Sequence, residues 1–284
     1  MSYKIIEILG GSFNLNFVLE DTVTKKQWIG KISKRLTSFN LDFIDLDERA
    51  LVAQKLASLL EVNVPKSLYI SEKEIMPSEN KKFILTAVRE HNYLFNDQEI
   101  FLTEKKGKSL PNYLEKKRID QITNLDHLIK SLVFNLWIGN YDKKDEDYVV
   151  VNSGEAFSID YSLCGPGFRN DDRNSIGYFA CKFSIENVND TGYVIGEILR
   201  RIIINNNYGL NFFEEEILRI EGLTLEEITR QFDNLEIQRE VTHENINQIF
   251  IDFLMARKLL IRGAISAWID AGYIKPHKDT NYCR

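Results

Sequence analysis

The sequence predicts a mixed α+β fold in two lobes, a small β-rich lobe with one helix followed by a larger α-helical lobe. Three observations carry this reading. The first hundred residues are dominated by short, β-branched apolar runs separated by polar turns. The remainder carries its apolar residues at helical spacing. The composition changes near Gly107, which sets the expected lobes at 1–106 and 107–284. A chain of 284 residues fits one large fold or two lobes of roughly 100 to 180 residues.

The elements follow in order. YKIIEIL opens the chain as a strand, GGSFN follows, and NFVLED and KQWIGKI flank the polar turn TVTKK, the pattern of a hairpin. LDERALVAQKLASLLEV sets Leu51, Val52, Leu56, Leu59 and Leu60 at helical spacing, and Pro65 ends that helix. KKFILTAV and EIFLTE read as two further strands around a polar loop at 92–97. In the second lobe, NLDHLIKSLVFNLWIGN makes a strongly apolar helix that ends near Gly139, with Leu132, Phe134 and Trp137 in its core. GNYDKKDED, two short strands (YVVV and AFSID) and a loop rich in Gly, Pro and Asn over 162–175 come next. Helices are expected at 189–206, 210–221, 224–235 and 243–272.

The bulk properties narrow the function. Hydrophobic residues make up 44% and charged residues 27%, the composition of a globular chain. A net charge of −6 without a long basic run lacks the phosphate-neutralising surface of a dedicated nucleic-acid binder. The short clusters at Lys105, Lys106 and Lys108, and at Lys116, Lys117 and Arg118, read as solvated faces. Cys164, Cys181 and Cys283 show no paired spacing, and His91, His127, His243 and His277 are scattered, so neither a disulfide framework nor a zinc site is implied. No signal-peptide apolar region follows the first residues and no run approaches 18 uninterrupted apolar residues, so a cytoplasmic protein without a membrane span is expected.

Four places carry chemistry when taken together. Gly10 and Gly11 with Ser12 lie between two strands, where glycine lets backbone N–H groups approach an anion; any tight hairpin uses glycine the same way. Lys31 sits in an apolar strand, as a snorkelling side chain or as a phosphate-binding ammonium. Glu48, one turn into the next helix, is its candidate carboxylate partner, or a glutamate favoured by the helix dipole. Asp142 follows the apolar helix, Asp147 stands five residues on, and a strand then delivers Asp160. Singly each acid fits a turn or a surface. In this order they supply the carboxylate beside an attacking hydroxyl and the hard oxygen ligands that phosphoryl transfer requires.

The motifs WIGNYDKKDED and AFSIDYS resemble the HipA-like branch of the protein-kinase superfold and, in pattern, the phosphatidylinositol kinases. In that pattern a helix ends in Gly-Asn-x-Asp, an Asn follows five residues after the Asp, and a strand then ends in Ile-Asp. The resemblance covers roughly residues 5 to 165. It implies a two-lobed kinase-like fold with ATP and Mg2+, or Mn2+, as cofactors. It makes Asp142 the catalytic acid, Asp160 the chief metal ligand and Asp147 the second ligand. It assigns Lys31 to the nucleotide phosphates, with Glu48 as partner. TEKKGKSLPNYL then looks like the connection between lobes, with backbone groups of Thr103, Glu104 and Lys105 meeting adenine. Two departures stand out: Asp147 replaces the family's Asn, and GGSFNLNF is poor in glycine for a kinase loop.

The implied reaction moves the γ-phosphoryl group of ATP to a hydroxyl. Its acceptor is a protein serine or threonine, as in a toxin or stress regulator with a small DNA-binding partner protein. A small molecule or lipid head group is the alternative acceptor, and an inactive nucleotide-binding module acting through a partner is the reading from a different class. Arg169 and Arg173, in the loop after Asp160, are open to a phosphate or to solvent, and Cys164 reads as a structural thiol.

Overall fold

In a computed structural model, residues 2–9, 14–33, 46–90, 99–140, 143–161, 164–165, 195–235 and 245–270 are described. The chain divides into two compact units, Met1–Asn40 with Pro65–Lys106, and Leu41–Val64 with Gly107–Arg284. Residues 41–64, expected with the first lobe, therefore group with the second unit. Among the described residues, no helix is long and apolar enough to cross a membrane.

The first unit is built on a five-stranded antiparallel sheet. Its strands are β1 (Tyr3–Leu9), β2 (Asn14–Asp21), β3 (Gln27–Ser33), β4 (Ser67–Ser71) and β5 (Glu99–Glu104), in the order β1-β2-β3-β5-β4. Side chains alternate across a pleated strand. Trp28 and Ile32 of β3 thus join Tyr3, Ile5, Phe17, Leu19, Ile70, Ile100 and Leu102 in the core, while Ile29 and Lys31 point to the opposite face.

One expectation fails here. KKFILTAV is not a strand; it lies in helix α2 (Glu79–Glu90) once the helix at Leu46–Leu59 is labelled α1. Its buried Ile84 and its partly buried Ala87 and Val88 stand at i, i+3 and i+4 and pack on one core, whereas Phe83 is 57% exposed. A short apolar run does not by itself separate helix from strand. The overlooked start signal is Ser78, whose Oγ accepts the Lys81 N–H at 3.1 Å. The fifth strand is instead the unanticipated β4, an edge strand after Pro65. The first unit does contain one α-helix among the described residues, but it is α2 and not α1.

The second unit carries a short three-stranded antiparallel sheet of β6 (Lys108–Ser109), β7 (Tyr148–Val150) and β8 (Ala156–Ser158). Its helices beside α1 are α3 (Leu110–Leu114), α4 (Leu125–Ile138), α5 (Glu197–Asn206), α6 (Leu210–Gly222), α7 (Leu225–Arg230) and α8 (Asn247–Asp270). Helix α4 is buried from Ser131 through Ile138 and packs on α6 and α8. The Trp137 indole N–H donates to Leu254 O at 2.9 Å, and the buried Arg257 donates to Leu136 O from Nε at 3.2 Å and Nη2 at 2.6 Å. Residues 41–64 join this unit through long-range bonds. Lys55 donates to Asp233 O, Asn63 Nδ2 to Ala156 O, and the Ser158 N–H to Asn63 O.

The helical phase of α2 has a direct consequence. Ile84→Ala should cost about 2–5 kcal/mol in urea unfolding, and Phe83→Ala less than about 0.5 kcal/mol. Equal costs at the two positions would contradict this packing.

Candidate active site

The site grows from the C-terminal end of α4. Gly139 adopts φ +69°, which costs glycine little and other residues more. A Cβ there would lie 2.8 Å from the Phe253 ring. The Gly139 N–H returns to Leu136 O and the Asn140 N–H to Asn135 O at 2.9 Å, a Schellman closure of the helix. This turn aims the buried Asn140 at two acceptors, Asn135 Oδ1 and Asp160 O, each 3.3 Å from Nδ2. The next carbonyl of the helix end is also used, since the Gly165 N–H donates to Ile138 O at 2.7 Å. The segment around Asp160 is thus bracketed by bonds to α4.

Asp160 itself is exposed and holds φ +60°, a left-handed conformation that a non-glycine residue adopts at a cost of about 1–3 kcal/mol. Its backbone is held by the bond from Asn140 and by Lys143, whose Nζ donates to Ile159 O and, at 3.5 Å, to Asp160 O. Lys143 is 3% exposed, with Nζ 4.2 Å from the Tyr161 ring centroid and 5.5 Å from that of Tyr148. Neither Lys143 nor Asn140 stands out as a site residue in the sequence. Asn140 carries a signal in the Gly-Asn motif; Lys143, inside a charged run, carries none.

Asp147 ends a 3-10 turn over Asp145–Asp147, where its Oδ2 accepts the Lys144 N–H at 2.8 Å. Its carbonyl accepts the Ile159 N–H at 2.8 Å. Burial pushes the Asp147 carboxyl up to about 6; the Lys143 ammonium pulls it down and the Asp160 carboxylate pushes it up. The neighbouring Asp145 has another task. Its Oδ1 accepts the Ile198 N–H at 2.9 Å in the first turn of α5, so this acid holds a helix N-terminus.

The other expected site residues fall as follows. Asp142 and Gly10, Gly11 and Ser12 lie outside the described residues, as do Arg169 and Arg173. In the first unit, Lys31 is half-buried and pairs with Phe101 of β5, while Thr103 pairs with Ile29, so Lys31 and Thr103 share the sheet face opposite the core. The Thr103 and Ser67 hydroxyls are 3.0 Å apart, Glu104 pairs with Lys106 at 3.0 Å, and the Lys105 N–H donates to Gln27 O at 2.9 Å. In the second unit, Glu48 is half-buried in the first turn of α1, next to the fully buried Arg49. Arg49 Nη1 donates to Cys164 O at 2.8 Å, and Cys164 Sγ lies 3.4 Å from Arg49 O as donor. Burial pushes that thiol up to about 12, which makes it structural.

The metal assignment can be weighed on these atoms. Among the described residues, no group of three or more His, Cys, Asp or Glu could hold a metal ion. What is present is the pair Asp147 and Asp160, hard oxygen donors whose charges repel each other. Two carboxylates under mutual repulsion fit a hard dication that keeps several waters, as magnesium does.

No family model matches the chain, and no curated protein matches its sequence. Among solved structures, the fold is similar to that of a proinflammatory kinase, CtkA, of Helicobacter pylori. The TM-score is 0.51 at 12% identity, over 97% of this chain and 100% of that one. At this identity the likeness concerns the fold alone. The fold class is mixed α+β, a small antiparallel sheet with a larger helical part, similar in fold to a kinase.

The buried acid gives a pH signature. A carboxyl raised from 3.8 to about 6 binds its proton more tightly in the folded state. The cost of ionising it is absent well below the free value and fully present above the folded one, so its contribution to stability falls as pH rises through that window. Asp147→Asn, which keeps an acceptor for the Lys144 N–H, should therefore stabilise the metal-free protein at pH 8 by about 1–2 kcal/mol. At about pH 4 the gain should vanish. Urea midpoints measured against pH check this, and a gain independent of pH would contradict it.

Proposed function

We propose that this chain is an ATP- and magnesium-dependent phosphotransferase of HipA-like type that moves the γ-phosphoryl group of ATP to a hydroxyl, with a protein serine or threonine as acceptor. The observation that carries the proposal is Asp160. It is an exposed carboxylate on a left-handed backbone, held by Asn140 and Lys143 at the end of the strand pair, with Asp147 beside it. Strained polar residues that surrounding structure over-determines are a mark of functional sites. The similarity in fold to a kinase supports the same class of chemistry.

Each residue then has a role. Asp160 and Asp147 would hold the metal, which when bound offsets the charge of the phosphate oxygens. Asp142 orients the acceptor hydroxyl and receives its proton. Lys31, on the sheet face opposite the core of the first unit, is assigned to the nucleotide phosphates. Gly10, Gly11 and Ser12 line the phosphates through backbone N–H groups, and Thr103 to Lys105 meet the adenine.

These roles give separable outcomes. Magnesium and ATP at about 100 times the dissociation constant should stabilise the protein by about 2.7 kcal/mol, read as a thermal shift. Asp142→Asn should lower transfer by about 100-fold or more and keep that shift. Asp160→Asn should lose both transfer and the magnesium-dependent part of the shift. Incubation with labelled ATP followed by mass mapping identifies the acceptor. Label on serine or threonine of a protein supports the proposal, and label confined to lipids or small molecules replaces the acceptor. Nucleotide binding without transfer replaces the enzyme with an inactive nucleotide-binding module.

A further inference from the structure

The buried stretch of α4 carries two polar side chains, Ser131 and Asn135. Asn135 is fully buried, and it is the single polar residue in the run from Leu132 to Ile138. Asparagine is a weak helix former, and a buried amide needs hydrogen-bond partners. Ser131 meets that need within its own turn, where Oγ donates to Leu128 O at 2.6 Å. Asn135 meets it only in part: its Nδ2 is buried without a hydrogen-bond partner. Its oxygens, by contrast, are used. Asn140 reaches Asn135 twice, with its N–H on the backbone carbonyl at 2.9 Å and its Nδ2 on Oδ1 at 3.3 Å. Leucine would fill this position without an unpaired donor, so the side-chain oxygen is what the helix end needs.

The two ends of an asparagine amide are similar in size and opposite in hydrogen-bonding character. Asn140 faces two acceptors, Asn135 Oδ1 and Asp160 O, and only its NH2 end suits both. We propose that Asn135 is a positioning residue: its side-chain oxygen fixes the Asn140 amide with the NH2 end toward Asp160 O, and so steadies the left-handed turn that presents the Asp160 carboxylate. This rests on the phosphotransferase reading, which gives that carboxylate its task. Asn135 acts through Asn140, and this separates it from a residue that merely fills the core. Replacing a core-filling side chain costs stability. Asn135→Leu removes the unpaired donor together with the acceptor, so stability changes little while the hold on Asp160 weakens.

The test is a double-mutant cycle of Asn135→Leu and Asn140→Ala in the full chain, with Asn135→Asp as the conservative variant that keeps an acceptor oxygen. Three readouts are taken: NMR amide exchange of Ile159 in the metal-free protein, Mn2+ binding by electron paramagnetic resonance, and transfer from labelled ATP. Ile159 is the reporter because its N–H donates to Asp147 O at 2.8 Å and the next carbonyl is the one that Asn140 holds. Asn135→Leu should speed that exchange by about tenfold and weaken Mn2+ binding several-fold. It should lower transfer by about tenfold or more. Its unfolding equilibrium constant in urea should change by less than about tenfold. Asn135→Asp should bring Ile159 exchange back to within about threefold of wild type.

The two substitutions should not add. In the Asn140→Ala background, Asn135→Leu should change exchange and Mn2+ binding by less than about twofold, since the amide it orients is gone. Unchanged Ile159 exchange in Asn135→Leu, effects that add fully across the cycle, or no recovery in Asn135→Asp overturns the inference and leaves the phosphotransferase reading standing. Wild type that neither binds Mn2+ nor transfers phosphate overturns that reading, and the exchange cycle then decides by itself whether Asn135 holds the Asp160 turn. If Asn135→Leu does not fold, Asn135→Ala removes the same acceptor without added bulk and carries the cycle. Failure of both to fold assigns Asn135 to the core and overturns the proposal.

Discussion

The carbonyl oxygens of Ile159 and Asp160 receive the Lys143 ammonium, and Asp160 O also receives the Asn140 amide. Those bonds hold a non-glycine residue in a left-handed conformation that costs about 1–3 kcal/mol on its own. They are possible only because α4 ends where it does. Gly139 turns the chain, Asn140 closes the helix, and Lys143 comes back under the strand pair between two tyrosine rings. The end of α4 is in turn held by α8. Arg257 takes the carbonyl of Leu136, and the Phe253 ring fills the space that a side chain at position 139 would need. An acid just past a short strand is thereby fixed by a chain of contacts that reaches the long C-terminal helix.

Much of this order was legible because it is local. Alternation marked β1, β2, β3 and β5, and Gly139 after a long apolar run marked the end of α4. The spacing of Asp142, Asp147 and Asp160 drew attention to the loop and strand end that hold the Asp147 and Asp160 pair. What was not legible depends on contacts distant in sequence. KKFILTAV took the helical state because Ile84, Ala87 and Val88 meet a sheet formed by other segments. Lys143 reads as one more charge in KKDED; its burial is conferred by Tyr148 and Tyr161, whose rings are brought over it by β7 and the segment after β8. Arg49 and Arg257 are similar, each a buried charged residue on a helix that donates to a carbonyl distant in sequence.

Under the proposed phosphotransferase reading, Asp147 in its half-buried turn is a metal ligand kept at a cost. An acid raised to about 6 is a stability cost at neutral pH. Sites that bind or transform ligands commonly carry such costs, and scaffolds absorb them elsewhere. Here the surrounding frame is well satisfied: α4 is buried along most of its length, Asp145 holds the start of α5, and the reciprocal Arg49 and Cys164 bonds join α1 to the segment after Asp160.

That last pair has a consequence for how the molecule is made. Arg49 and Cys164 are 115 residues apart, and Lys55 meets Asp233 from farther still, 178 residues away. During synthesis at about 5–20 residues per second, Arg49 leaves the ribosome roughly 6–23 seconds before its acceptor at Cys164 does. For that interval Val52, Ala53, Leu56 and Ala57, all fully buried in the finished protein, belong to a helix whose partners Cys164 and Asp233 have not yet emerged. The second unit cannot close until the chain has passed through the strands of the first. The order of the gene thus sets the buried face of α1 in place before the segments that cover it.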